Sequence, residues 1–315
     1  RCLVGSEMCI RDRLYLTPSN REDFFTFTRM LIGQLRQVGK THTAERYVTV
    51  MNSFGRFHRE NELLWEEVDS DLMVEYETYL KSRGVCPNTS SYYMRGLRAI
   101  YNRAVEKGMT VQREPFKYVY TGIDKTIKRA VPLKVIRQIR DLDLTLFPTM
   151  DFARDIFMFS FYTRGMSFID MAYLKKKDLQ GGTLSYRRQK TGQQLFVKWE
   201  KPMQEIVDKY NTNGTPYLLP IIRDMNADIR RQYKNAAHLV NDKLKKLGEK
   251  LGLTVPLTSY VARHGWASIA RSRNIPLAII SEAMGHDSEK TTRIYLASLD
   301  TTSVDKANSR ILKAL

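Results

Sequence analysis

The sequence predicts a mainly α-helical chain of two domains that carries one small antiparallel β-sheet. Three observations lead to this fold class. The chain has 315 residues, more than the roughly 250–300 at which a single hydrophobic core stops growing. Apolar residues recur mostly at helical spacing, and only one stretch alternates with the period of a strand. Hydrophobic residues make up 43% of the chain, which supports two cores and excludes disorder for most of it.

The chain is strongly basic. It holds 51 lysines and arginines against 34 acidic residues, a formal net charge of +17, and this excess favours an acidic macromolecular partner. Its cysteines, Cys2, Cys9 and Cys86, form neither a metal-ligand pair nor a disulfide framework, as is typical of a reducing cytoplasm. The longest apolar run, residues 156–162, is far shorter than the ~18 residues that cross a bilayer. We therefore expect a soluble, cytoplasmic protein with no membrane partner.

Residues 1–13, RCLVGSEMCIRDR, show no helical or strand period and no apolar core of signal-peptide length. They also lack a starting methionine. We interpret them as a non-native leader and expect genuine N-terminal sequence, including a further domain, to be missing.

Residues 14–113 form the first predicted domain, which is helical. Ser70 as an N-cap and Gly84 just past the end frame one of its helices, and Gly108 ends the last. The predicted helices cover residues 24–38, 43–59, 70–83 and 88–107.

Charge is segregated within this domain. Residues 60–77 contain eight acids and no base, whereas residues 81–113 contain seven bases and one acid. Arginines and tyrosines alternate on the last predicted helix, a mixture suited to a phosphate backbone. These are Arg95, Arg98 and Arg103 with Tyr92, Tyr93 and Tyr101. An ordinary solvated helix face is the alternative, and the net charge of the chain favours binding of DNA by the arginines.

The polar residues 114–131 are predicted to link this domain to a second one, residues 132–315. The first domain holds 14 bases and 12 acids, so most of the positive charge lies beyond it. Alternating segments at residues 183–190 and 193–199 flank Thr191-Gly192 and predict a β-hairpin. The predicted helices cover residues 133–142, 150–162, 167–174, 203–210, 228–250, 259–271, 276–284 and 289–299, with a last amphipathic piece in 300–315.

Arg263 is the first candidate for chemistry. It lies in SYVARHGWASIA, residues 259–270, among small and apolar residues that are typical of a closely packed helix. A charged group there needs a partner. The partner could be an internal carboxylate, or a bound phosphate that accepts the paired donors of the guanidinium. This segment alone leaves both open.

Residues 284–296, MGHDSEKTTRIYL, supply the most specific motif. The run resembles the C-terminal signature of the tyrosine recombinases, the phage-integrase family, which reads L-G-H-x-S-x-x-T-T-x-x-Y after a helix bearing H-x-x-R. Every fixed position after the leading leucine matches. The first domain is similar to the SAM-like core-binding domain of that family, so the resemblance spans about residues 20–300.

The resemblance implies roles for individual residues. Tyr295 matches the nucleophile, His286 the histidine that follows glycine, and Arg263 the second catalytic arginine. Lys190, in RRQKTG at the hairpin turn, matches the hairpin lysine, a general acid for the leaving 5′-oxygen. The neighbouring Arg187 and Arg188 compete for that role and are otherwise expected to bind DNA.

Two positions depart from the family pattern. Ser167, in GMSFIDM, stands where the first catalytic arginine is found; Arg164 would reach the same phosphate if one helical turn separated the two. Tyr260 replaces the histidine of H-x-x-R, and its hydroxyl can donate to a phosphate oxygen but cannot act as an imidazole does. FYTRGMSFIDMAYL is similar to the conjugative-transposon and phage branch of the family, which implies an active variant.

The resemblance also implies function. Two domains would clamp double-stranded DNA at inverted-repeat core sites, and a homotetramer would cleave and rejoin strands through a 3′-phosphotyrosine. This reaction needs no metal, cofactor or ATP, because the covalent intermediate conserves the energy of the broken bond. It would integrate, excise or invert a mobile element in the bacterial nucleoid, with host DNA-bending or excision proteins as accessory partners. The tail, residues 301–315, would dock on a neighbouring protomer.

Two other functions stay open at this point. Ser167 and Tyr260 also fit a DNA-binding regulator derived from a recombinase, which would bind its site without a covalent adduct. An enzyme that resembles type IB topoisomerases would use the same tyrosine chemistry to relax any supercoiled plasmid. Each of the three would bind DNA with a steep dependence on salt.

Overall fold

The computed structural model of the protein describes residues 23–59, 62–124, 130–297 and 312. Over these residues the chain is mainly helical with one three-stranded antiparallel sheet, which confirms the predicted fold class. It divides into two compact units, residues 1–125 and 126–315. The predicted leader, residues 1–13, and the predicted tail helix, apart from Leu312, lie outside the described residues.

In residues 23–59 and 62–124, the described part of the first unit, the chain forms four helices and a short 3-10 turn, Trp65–Glu67. An aspartate precedes two of the helices and caps each of them: Asp23 Oδ1 accepts from Thr26 N and Asp69 Oδ1 from Leu72 N, both at 2.9 Å. The cap of the third helix is therefore Asp69 rather than the predicted Ser70, because the carboxylate one residue earlier reaches the free amides. The helices are α1 Phe24–Gln37, α2 Thr41–His58, α3 Ser70–Ser82 and α4 Pro87–Glu106.

The basic and aromatic mixture on α4 separates by face. Tyr101 is fully buried and its hydroxyl donates to Val111 O at 2.8 Å, so this tyrosine belongs to the core and not to a DNA-facing surface. Arg98 and Arg103 are exposed, and the half-buried Arg95 donates from Nε to Ser91 O at 3.3 Å. The arginines, unlike Tyr101, remain available to a partner.

The predicted linker begins as part of the first unit. Phe116 and Val119 are buried in the same core as α1–α4. Tyr120 N donates to Glu77 Oε1 at 2.8 Å, and Ser91 Oγ donates to Gly122 O at 2.5 Å. A few buried side chains and hydrogen bonds thus hold residues 114–124 against the first unit. Because such contacts produce no apolar stripe, the sequence pattern does not reveal them.

The second unit surrounds the sheet with helices. In the sheet, Leu184 pairs with Val197 and Tyr186 with Leu195, and the four side chains are buried on one face. The first strand pairs antiparallel with the second and was not predicted, because two residues are too few for a period to show. The elements are α5 Leu133–Arg140, α6 Pro148–Tyr162, α7 Phe168–Tyr173, β1 Leu179–Gln180, β2 Thr183–Arg187, β3 Gln194–Lys198, α8 Lys201–Asp208, α9 Ile229–Lys250, α10 Ser259–Ser272, α11 Leu277–Met284 and α12 Glu289–Ala297.

Helix α6 is the centre of the second unit. Its residues Ile156, Phe157 and Phe159 are fully buried, and it packs against both α9 and α10. The chain leaves α6 at Thr163 and reaches α7 through residues 163–167, which pass beside α10. None of the helices in the described ranges is both long and apolar enough to cross a bilayer.

Candidate active site

Arg263, on α10, is the most buried cation of the candidate site, with 4% of its surface exposed. Its Nη1 donates to Gly165 O at 2.8 Å and its Nη2 to Met284 O at 2.7 Å. Burial, and secondly the charge of Arg188, lower the pKa of Arg263 from its ordinary value. Within the described part of the chain no carboxylate pairs with this guanidinium. Two backbone carbonyls and, at 3.2 Å, Nε2 of His286 lie against the guanidinium, and none of these groups is an acid, which leaves it suited to an anion.

Two glycines allow two arginines to approach the backbone. Gly165 has a φ of +78°, and a Cβ on it would lie 2.8 Å from the Cα of Arg263. Gly285 ends α11 with a φ of +61°, and a Cβ on it would lie 2.7 Å from the Cδ of Arg188. Each arginine donates to the carbonyl of the glycine it packs on. Glycine is thus required at both positions by conformation and by space.

Gly165→Ala should lower the free energy of unfolding more than Gly182→Ala does. Both glycines have positive φ, +78° and +72°, but nothing lies within 4 Å of a Cβ built on Gly182. Gly182→Ala therefore carries only the backbone cost of about 1–2 kcal/mol, whereas Gly165→Ala adds an overlap that costs about 1–3 kcal/mol. Urea denaturation of both variants measures the difference. Equal losses would show that the Arg263 backbone yields without cost.

Arg188 lies inside the site. From the sequence, Arg188 was expected to compete with Lys190 as general acid or otherwise to bind DNA, but only 7% of it is exposed. Its Nη1 donates to Gly285 O, and its Nε lies 3.9 Å from Asp170 Oδ2. The residue follows the end of β2, where the chain turns inward. Leu184, Tyr186 and Arg188 are buried at every second position, and Arg188 N donates to Gln193 O at 2.9 Å, so Arg188 continues the buried face of β2. The strand period places position 188 on that face, but a basic residue there adds no apolar signal to the sequence.

Ser167 and Arg164 do not share a helical turn. Arg164 follows α6 with a φ of +63°, and α7 begins only at Phe168. The Nη1 of Arg164 donates to Phe196 O at 3.2 Å. Ser167 Oγ donates to Asp170 Oδ2 at 2.5 Å. We expected one helical turn to separate Arg164 from Ser167. This expectation is wrong, because residues 163–167 form a turn and not a helix.

His286 is oriented by two neighbours. Its Nε2 lies 3.2 Å from Arg263 Nη2, and its Nδ1 lies 2.7 Å from Thr292 Oγ1. A guanidinium nitrogen can only donate, so Nε2 accepts and the ring proton of the neutral imidazole stands on Nδ1. Thr292 is the second threonine of the T-T pair in the motif and is fully buried. The motif therefore holds the imidazole beside Arg263.

Tyr295, on α12, is 6% exposed and lies between two imidazoles. Its ring centroid is 5.5 Å from that of His286 and 5.2 Å from that of His264. Its hydroxyl lies 2.5 Å from Nδ1 of His264. Burial raises the pKa of Tyr295, and the charge of Arg263 acts in the opposite direction. From the sequence, His264 was given no role in the chemistry, because nothing in its local spacing points to a residue 31 positions away.

Tyr260 and Lys190 lie at the edge of this group. Tyr260 is 49% exposed, and the edge of its ring meets His264 at a centroid distance of 4.8 Å. Lys190 is exposed in the hairpin turn that Gly192 N closes by donating to Arg188 O at 2.8 Å. Arg187 is also exposed and donates to Gly192 O at 2.7 Å. The turn thus presents a lysine and an arginine to solvent next to the buried Arg188.

The arrangement can bind a phosphate and activate a hydroxyl. The second unit gathers two guanidiniums, two imidazoles and a buried phenol from the hairpin, from α10, from the turn after α11 and from α12. Such preorganised donors stabilise the charge that develops on a phosphoryl centre during attack. In the described ranges, no three histidine, cysteine or carboxylate side chains cluster as metal ligands would.

Comparison with known proteins gives consistent matches over both units. Residues 23–122 match the phage integrase SAM-like domain, and residues 148–302 match the phage integrase family. The tyrosine recombinase XerA of Pyrococcus horikoshii is 23% identical over 263 residues, which cover 73% of this chain and 90% of the relative. The tyrosine recombinase XerC of Syntrophus aciditrophicus is 25% identical over 282 residues, 82% and 87% of the two chains.

Solved structures share the fold. A lambda integrase tetramer bound to a Holliday junction is similar with a TM-score of 0.67 at 14% identity, over 88% of this chain and 78% of that chain. Fold, site and matches define a class of protein: an enzyme that breaks and rejoins DNA strands at specific sites by means of a tyrosine. The chain belongs to the tyrosine recombinase family, also called the phage integrase family. These matches do not favour the regulator or the topoisomerase.

Proposed function

We propose that Tyr295 is the nucleophile of this recombinase and that Arg263, Arg188 and His286 bind the scissile phosphate. The hydroxyl oxygen of Tyr295 attacks the phosphorus, and the bond to the 5′-oxygen breaks. Lys190, at the exposed hairpin turn, donates the proton that the leaving oxygen needs. The product is a 3′-phosphotyrosine and a free 5′-hydroxyl, which the strand of a partner site can exchange.

One observation carries this proposal: a buried guanidinium with no carboxylate partner in the described chain lies in the same cluster as the buried tyrosine. Arg263 reaches His286 at 3.2 Å, and His286 packs against the ring of Tyr295. A purely structural arginine at 4% exposure would be expected to pair with an acid. A phosphate is the ligand that would satisfy the charge of Arg263 and place its phosphorus near the phenol.

Arg188 is proposed to supply the charge that Ser167 cannot. It is buried and donates to Gly285 O, while Arg263 donates to the adjacent carbonyl of Met284. The charge of Arg188 accordingly lowers the pKa of Arg263. Arg164 donates instead to Phe196 O on β3. The two guanidiniums of Arg188 and Arg263 would then act together on the non-bridging oxygens of the phosphate.

Arg188→Ala should slow covalent cleavage of DNA by about 10²- to 10³-fold, the usual cost of removing one preorganised donor group. Arg164→Ala should slow it by less than tenfold. Single-turnover cleavage of a substrate with a nick near the cut site measures both rates. Arg188→Lys keeps the charge but not the paired donors and should lie between the two. A larger loss in Arg164→Ala than in Arg188→Ala would reverse the assignment.

The proposed substrate is duplex DNA with an inverted-repeat core site, bound by two protomers and brought to a partner site in a tetramer. The net charge of +17 and the exposed Arg98 and Arg103 on α4 support a DNA partner for both units. Integration, excision or inversion of a mobile element in a bacterial cell is the proposed setting. Host DNA-bending or excision proteins are proposed to choose the direction.

A plasmid that carries two copies of the DNA flanking the gene of this protein tests the function. With the enzyme in EDTA, we expect inversion or deletion between the copies and no change in a plasmid that lacks them. Relaxation of both plasmids would instead identify a topoisomerase. Tight, specific binding without any covalent adduct would identify a regulator.

A further inference from the structure

We propose that His264 is a catalytic residue of this recombinase, the proton acceptor for the hydroxyl of Tyr295. The inference rests on the proposed role of Tyr295 as nucleophile. Nothing in the C-terminal motif assigns a role to His264, and its position next to Arg263 suggests only packing.

Tyr295 and His264 are in direct contact. The hydroxyl oxygen of Tyr295 lies 2.5 Å from Nδ1 of His264, and the two rings are stacked with an interplanar angle of 25°. His264 is 7% exposed and Tyr295 6%. At this distance the phenol hydroxyl can donate to Nδ1 of the imidazole, and the contact is buried on both sides.

The two imidazoles that flank Tyr295, those of His286 and His264, have different hydrogen-bond partners. Nε2 of His286 faces Arg263 and Nδ1 faces Thr292, so both nitrogens of His286 are engaged away from the phenol hydroxyl. The ring of His286 meets that of Tyr295 edge-on, at a centroid distance of 5.5 Å. Nδ1 of His264, in contrast, lies at hydrogen-bond distance from the hydroxyl.

Tyr260 occupies the position where the H-x-x-R pattern has an imidazole. The centroid of its ring lies 4.8 Å from that of His264. Residues 260 and 264 lie one turn apart on the same face of α10. The imidazole that this helix lacks at position 260 is therefore present one turn later, where it reaches the nucleophile instead.

Tyr295 needs a proton acceptor before it can attack. A phenol with a pKa raised by burial is almost entirely protonated at neutral pH, so attack requires removal of its proton. As the oxygen lone pair of Tyr295 forms the bond to phosphorus, the phenol proton moves to Nδ1 of His264. The electron pair of the broken bond goes to the 5′-oxygen, which takes a proton from Lys190. Rejoining returns the proton from His264 to the phenol.

His264→Asn separates a proton acceptor from a mere hydrogen-bond acceptor. The Oδ1 atom of asparagine can replace Nδ1 as an acceptor for the hydroxyl but is not basic. We expect His264→Asn and His264→Ala to slow covalent cleavage alike, by about 10²- to 10⁴-fold, while specific DNA binding is kept. His238→Asn, an exposed histidine on α9, is the matched control and should cleave at the wild-type rate.

A DNA substrate with sulfur in place of the bridging 5′-oxygen adds a readout that packing does not affect. A thiol with a pKa of about 8.5 leaves without a proton from the enzyme. The sulfur substrate should therefore restore cleavage by Lys190→Ala but not by His264→Asn. Added imidazole should partly restore His264→Ala, whose cavity can admit it.

Three results would overturn the inference: His264→Asn within threefold of the wild type, restoration of His264→Asn by sulfur, or failure of imidazole to restore a folded, DNA-binding His264→Ala variant. Each of these leaves the proposed function intact, provided that the wild type forms the adduct and Tyr295→Phe does not. Loss of adduct in the wild type would instead contradict the proposed function.

Discussion

Tyr295→Phe should abolish covalent attachment to DNA and all recombination. The substitution removes one oxygen and keeps the ring that packs against His264 and His286, so the fold and the affinity for DNA should persist. A denaturant-resistant protein–DNA adduct, formed in EDTA and detected by gel shift, measures the effect.

Tyr217→Phe is the matched control for this prediction. Tyr217 is 5% exposed in the second unit and lies outside the site, so its loss should leave the adduct unchanged. A Tyr295→Phe protein that still forms an adduct would contradict the assignment, and the attached peptide would then identify the true nucleophile. Mapping of the attached strand end should give a 3′-phosphate linkage.

Arg263→Ala should have the second largest effect, a loss of about 10³-fold in the rate of covalent cleavage. Removal of one preorganised donor costs about 10²- to 10³-fold, and this substitution removes two donors and a buried positive charge. It also leaves the carbonyls of Gly165 and Met284 without the donors they have now. Each unpaired buried carbonyl costs about 1–3 kcal/mol, so the free energy of unfolding should fall as well.

Two further variants separate catalysis from folding at this position. Arg273→Ala removes an exposed arginine just past the end of the same helix and should change neither rate nor stability. Arg263→Lys keeps the charge but cannot reach both carbonyls with a planar fork, so it should recover part of the stability and little of the rate. A rate in Arg263→Ala within tenfold of the wild type would contradict the role of Arg263 in binding phosphate.

Much of the secondary structure could be predicted, because its causes are local. Helices α1, α2, α4, α6, α9 and α10 begin and end within a few residues of the predicted bounds, since apolar stripes, caps and terminal glycines lie inside each segment. The hairpin of β2 and β3 turns at Gly192 as expected. The stretch from 114 to 124 was not predicted as part of the first unit, because Phe116 and Val119 are isolated apolar residues in a polar segment.

The candidate site divides in the same way. The motif near the C-terminus identified Tyr295 and His286, and the packed helix drew attention to Arg263. Arg188 was expected to compete with Lys190 or to bind DNA, and His264 was given no role in the chemistry, although both lie inside the cluster. Strand alternation places position 188 on the buried face of the hairpin, but an arginine there adds no apolar signal. A histidine beside Arg263 has no distinguishing sequence pattern.

By itself, the sequence determined that this chain is a two-unit helical recombinase with a tyrosine, a histidine and an arginine in recognisable motifs. Only the tertiary structure decided which side chains meet. Arg263 and Gly165 are 98 positions apart, Arg188 and Gly285 97, and Tyr295 and His264 31. Helix periods and caps act over one or two turns, whereas these contacts depend on how α10, α11, α12 and the hairpin pack together. Local sequence therefore specified the elements, and packing specified the chemistry between them.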